Sequence, residues 1–105
     1  MSPSVRIRLA ARLEIAEAED WYENRGPGLG REFRAATYEA VARISADPFV
    51  YPELLWGNRR LVMRRFPYNI WFRLSGAGVL IVAVVHGKRG ARTLRSKMGD
   101  AEPAR

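Results

Sequence analysis

The fifteen residues from 58 to 72, "NRRLVMRRFPYNIWF", hold four arginines and four aromatic residues and no acid. Guanidinium groups beside aromatic rings suit two chemistries. They can grip a polyanion such as a nucleic-acid backbone, or they can dock an acidic protein segment. The single histidine, His86, is of the one side-chain type that ordinarily titrates near neutrality. A lone histidine closing an apolar run reads first as a capping or packing residue, and second as a proton donor. With no cysteine and no second histidine, a metal site of the usual nitrogen and sulfur ligands has nothing to complete it. Glu17, Glu19, Asp20 and Glu23 crowd one stretch, but their spacing spreads them around a helix as a solvated face. "GPGLG" imitates a phosphate loop, yet no strand precedes it, no Lys-Ser/Thr follows, and Pro27 removes an amide donor. It reads as a turn between helices. Trp21 and Tyr22 fall at spacings that favour core or rim packing, and Trp56 precedes a Gly-Asn turn where it can anchor its own loop or a partner.

The charges are unevenly placed. Residues 1–53 carry seven Arg/Lys against nine Asp/Glu, whereas residues 54–99 carry ten Arg/Lys and no acid. This half-and-half pattern, within a net charge of +7, favours a polyanionic partner, either nucleic acid or an acidic protein segment. A chain of 105 residues forms one domain, and 48% hydrophobic content with three Trp, four Tyr and four Phe suffices for a single core. The absence of cysteine suits a reducing compartment. The longest apolar run, "VLIVAVV", is far too short to span a bilayer, and no signal-peptide pattern is visible, so the expected setting is cytoplasmic, without membrane attachment.

Elements that could position these groups follow from periodicity. Residues 5–9, "VRIRL", alternate as a short strand. Ala11, Ile15, Ala18 and Tyr22 recur as the apolar stripe of an amphipathic helix, broken at "RGPGLG". Leu29, Phe33, Ala36, Thr37, Ala40 and Ile44 mark a second helix, ending near Asp47 because the residue before Pro48 disfavours helical angles. "DPFVYPEL" reads as loop. Strands are expected at 59–66, 68–74 and 79–86, with "SGAG" as the last hairpin turn. The expected fold is α+β: an N-terminal strand, an antiparallel helical hairpin, then an antiparallel β-meander, giving a twisted, mostly antiparallel four-stranded sheet. The first strand is expected at an edge or beside the last, and residues 93–105 as a loose tail.

Four strings, "AEDWYENRGPGLGREF", "DPFVYPEL", "RRLVMRRFPYNIWFRL" and "AVVHGKR", in this order, resemble the RelE/ParE superfamily of bacterial type II toxin–antitoxin toxins. The likeness runs from about residue 5 to residue 92. It implies a small toxin neutralised by a cognate antitoxin as a hetero-oligomer, with no cofactor. Its target would be either the ribosome and its mRNA, cleaved by RelE-like members, or DNA gyrase, poisoned by ParE-like members.

Ribosome-dependent cleavage must activate the ribose 2′-hydroxyl, stabilise the phosphorane and protonate the leaving oxygen. By resemblance, Arg60, Arg64 and Arg89 would stabilise the phosphorane and His86 would supply the proton. Arg60 and Arg64 share a side by strand alternation, so both would face an RNA backbone. However, Val62 stands where a second basic residue is usual, Asn69 where nucleases carry an arginine, and Arg95 where a RelE-like tyrosine sits. A guanidinium is a poor general acid. The set is depleted, which tilts the reading toward ParE-like gyrase inhibition. The alternatives are a ribosome-dependent endoribonuclease and a degenerate toxin that only binds its antitoxin as a co-regulator. Arg65, Trp71 and Arg73 are expected to meet the antitoxin, with Trp71 half exposed on the face away from the core.

Overall fold

Residues 4–76 and 78–88 are described by the computed structural model. Strand β1 (Val5–Ile7) leads at once into helix α1 (Leu9–Glu23), and helix α2 (Leu29–Ala46) follows. After a single 3-10 turn (Pro48–Val50) come β2 (Glu53–Leu55), β3 (Asn58–Val62), β4 (Tyr68–Ser75) and β5 (Gly78–His86). The sheet order is β1-β5-β4-β3-β2; β1 runs parallel to β5 and every other pairing is antiparallel. The first strand thus lies both at an edge and beside the last.

The sheet has five strands where four were expected. The extra strand is β2, hidden in "DPFVYPEL". Two prolines and three residues of strand leave no period to read, and only pairing with β3, through Glu53–Arg59 and Leu55–Asn58, makes it one. The strand expected at 59–66 also stops early, at Val62. Beyond it, Met63 N–H donates to Tyr68 O (3.0 Å) and Gly87 N–H to Pro67 O (2.8 Å), so residues 63–67 form a bend tied at both sides.

One face of the sheet carries both helices. Ala11, Ile15 and Ala18 of α1 and Phe33, Thr37, Ala40, Val41 and Ile44 of α2 are buried against Leu61, Ile70, Phe72, Val79, Ile81 and Val84. Each such aliphatic or aromatic side chain removed from water contributes about 1.5–3 kcal/mol. Phe33 is the hub, with the rings of Tyr22, Phe66 and Tyr68 at 5.2, 5.2 and 5.1 Å.

The helical hairpin turns through Gly28, whose φ of 86° lies in the left-handed region, and then packs closely at Gly30. A Cβ on Gly30 would sit 2.6 Å from the Glu19 carbonyl oxygen, which is backbone and cannot swing away. Gly30→Ala is therefore expected to lower stability by about 1–3 kcal/mol despite alanine's better helix propensity. A thermal melt should show this as a fall in Tm; an unchanged or raised Tm would refute the close approach.

Candidate functional site

The face of the sheet away from the helices holds a second cluster, Trp71, Val82, Ala83 and Val85, with Leu55 and Leu80 packed against it. A β-bulge builds it. Pairing passes from Trp71–Ala83 to Phe72–Ile81, so Val82 is an extra residue, and Val82 and Ala83 both turn to the far side. Three arginines stand on the same face. Arg60 lies opposite Trp71, with its guanidinium 5.6 Å from the ring centroid. Arg73 and Arg6 flank Leu80 on either side, and Arg6 donates to Ser75 Oγ at 3.4 Å. No residue from 54 to 88 is acidic, and neither is any in β1, so among β1, β3, β4 and β5 this face presents arginine, apolar and neutral polar groups without a carboxylate. It suits a partner that offers carboxylate or phosphate together with apolar groups.

Trp71 itself is buried at 2% exposure, not half exposed as the alternation suggested. Alternation correctly turned it from the helices, but the bulge and Arg60 give it a packed environment there. Its indole Nε1 is buried without a hydrogen-bond partner, an arrangement that costs about 1–3 kcal/mol.

The other expected site residues are dispersed. Because β3 ends at Val62, alternation does not extend to Arg64, which lines a groove of about 560 Å³ with Arg65, Met63 and residues of α2. Arg65 pairs with Glu32 of α2 and lies 5.2 Å over the Phe66 ring. His86 is on the helix side at the end of β5, 5.4 Å edge-on to Tyr68, with Nδ1 accepting the Lys88 N–H at 3.1 Å. That bond places the proton of the neutral ring on Nε2. Asn69 pairs with Val62 and Val85 on the far face. Arg60 and His86 thus lie on opposite faces and three residues apart along the ladder. Arg89 and Arg95 lie outside the described residues, as does the expected tail.

No protein-family model matches the sequence, and neither does any curated protein. The structure, however, is similar to a chain of the solved structure "Chromosomal ParDE TA system from P. aeruginosa". The TM-score is 0.73 at 20% identity, over 81% of this chain and 96% of that one. The two share a fold. Among the described residues, no helix is long and apolar enough to cross a membrane, and no three His, Cys, Asp or Glu residues gather as metal ligands.

Two carboxylates of α1 tie it to the sheet and to α2. Glu14 Oε1 of α1 accepts the Val84 N–H at 2.8 Å, just past the point where β1 stops covering β5. Glu23 reaches from the end of α1 to the start of α2, accepting Gly28 N–H and Gly30 N–H at 3.0 Å each. These two backbone hydrogen bonds, more than any other influence, hold the Glu23 carboxyl below its ordinary value of 4.5. A depressed carboxylate stabilises above its unfolded value and loses that contribution as pH falls through the folded one. Glu23→Gln offers one acceptor oxygen in place of two. Its Tm deficit against the parent should be greatest at neutral pH and should close below pH 4.5. An equal deficit on both sides of that value would show that the charge is not what matters. Sequence spacing alone does not reveal Glu23, because its partners are five and seven residues away across a turn.

Among the described residues, Tyr22 is displaced from its ordinary value as well. Burial, and secondarily the neighbouring Tyr68, push its hydroxyl above the ordinary value, which keeps it a neutral donor throughout the physiological range.

Proposed function

We propose that this chain is the toxin of a type II toxin–antitoxin pair, neutralised by an antitoxin in a hetero-oligomer and acting ParE-like on DNA gyrase. The observation that carries the reading is the shared fold with a chain of a ParDE toxin–antitoxin structure, covering 96% of that chain. The chain's basicity and the run of residues 54–99 without an acid are in keeping with an acidic antitoxin segment. Arg60 and Arg73 on the far face, standing over the buried Trp71, form the surface to which that segment docks, with Arg65 at the bend as an outlying contact.

The choice of gyrase over mRNA cleavage rests on placement. Phosphorane stabilisation and leaving-group protonation must converge on one phosphate within hydrogen-bond reach, roughly 3 Å. Arg60 on the far face, Arg64 at the bend and His86 on the helix side are not arranged to do so. Expression without the antitoxin is expected to arrest growth, and co-expression of the antitoxin to relieve the arrest. Primer extension on cellular mRNA should show no new ends during the arrest. New ribosome-dependent ends, lost in His86→Ala and Arg89→Ala, would make the chain a RelE-like nuclease. Unimpeded growth with folded protein would leave only the co-regulator role.

A further inference from the structure

A pocket of about 470 Å³ lies on the helix side, between α1 and the ends of β4 and β5, away from the arginine face. Its α1 wall is Glu14, Glu17, Ala18, Trp21 and Tyr22; Tyr68 and His86 stand across from it. Three features make its chemistry opposite to that of the arginine face. Glu14 and Glu17 are three apart on one helix, so both carboxylates stand on the face that lines the pocket. No lysine or arginine among the described residues lines it, although the chain carries a net charge of +7. Trp21, Tyr22 and Tyr68 contribute aromatic rings to the remaining walls, and aromatic faces attract cations through the ring quadrupole. Trp21 already demonstrates the affinity, since the Arg25 guanidinium rests 3.9 Å from its ring centroid. Trp21 is also 49% exposed, so a tryptophan of the pocket rim stands open to an incoming group.

We infer that this pocket is a cation-binding site, built to take the guanidinium or ammonium head of an arginine or lysine presented by a partner protein segment. The head would lie against the rings, with Glu17 as its charge partner. Glu14 is already committed through Oε1 to Val84 N–H and adds to the negative field. That the segment belongs to the antitoxin rests on the proposed function; the preference for a cation does not.

The test is a titration of the purified chain with acetyl-arginine amide, following the ¹H–¹⁵N indole resonance of Trp21, assigned by its loss in Trp21→Phe. The neutral citrulline analogue serves as the comparison. A saturable shift in the millimolar range is expected with the arginine compound and not with citrulline. Glu17→Gln, at an exposed position that the fold does not need, should weaken binding about two- to fivefold. No shift, an equal shift with citrulline, or no effect of Glu17→Gln would overturn the inference. A chain that ignores acetyl-arginine amide yet arrests growth overturns the pocket and leaves the toxin standing. One that binds it without arresting growth does the reverse.

Discussion

Phe33→Ala is expected to remove most of the stability of this domain. Phe33 is fully buried and touches aromatic residues from three other parts of the chain: Tyr22 from α1, Phe66 from the bend and Tyr68 from β4. Truncating a buried phenylalanine costs about 3–5 kcal/mol from lost transfer energy and the cavity left behind. Aromatic pairs add about 0.5–1.5 kcal/mol each beyond area. The total stability of a domain of this kind is about 5–15 kcal/mol, so the variant should be largely unfolded or close to it. Phe33→Leu keeps much of the volume and should cost less, about 1–2 kcal/mol. Urea denaturation followed by circular dichroism separates the two. A loss below about 1 kcal/mol for the alanine variant would mean that the aromatic cluster is not the hub of the core. The consequence reaches function, because the same cluster seats Tyr68 beside His86 and fixes the bend that carries Arg64 and Arg65.

The second large effect concerns binding. Reversing both charges, Arg60→Glu with Arg73→Glu, is expected to weaken the complex with the cognate antitoxin at least about a hundredfold. Removing one partner of a desolvated charge pair costs about 2–5 kcal/mol, and each 1.4 kcal/mol is about tenfold in affinity. Both arginines are partly buried beside the Trp71 cluster, where salt screens them less than it does surface charges. Arg31→Glu, on the exposed side of α2, should leave affinity within a few-fold. Isothermal titration calorimetry of each variant against the antitoxin gives the ratio. Undiminished affinity in the double variant, with a parental thermal melt, would move the antitoxin surface elsewhere.

How much of this was legible in the sequence depends on whether an element's pattern is local. The stripes Ala11, Ile15, Ala18 and Phe33, Thr37, Ala40, Ile44 named the buried faces of both helices, because helix period and burial coincide there. The β4–β5 hairpin was legible for the same reason, with "SGAG" between two apolar runs. Strand β2 was not, since its three residues between Pro52 and Trp56 gain their identity only from β3. Arg64 was misplaced because "RRLVMRRF" keeps alternating in sequence after the backbone has left the ladder at Val62. Trp71 was placed on the correct face but with the wrong exposure, since a bulge at Val82 cannot be read from a uniform β-branched run. The roles of Glu14 and Glu23 were not legible in an acid-rich helix because they depend on tertiary neighbours, Val84 and the first turn of α2.

The most direct test of the account is plasmid cleavage by DNA gyrase in the presence of the purified, antitoxin-free chain. The account predicts that supercoiled plasmid is converted, in the presence of ATP, to linear DNA covalently held by gyrase, and that prior addition of the antitoxin prevents this. Unaltered supercoiling by gyrase, with chain shown to be folded and in molar excess, would contradict it.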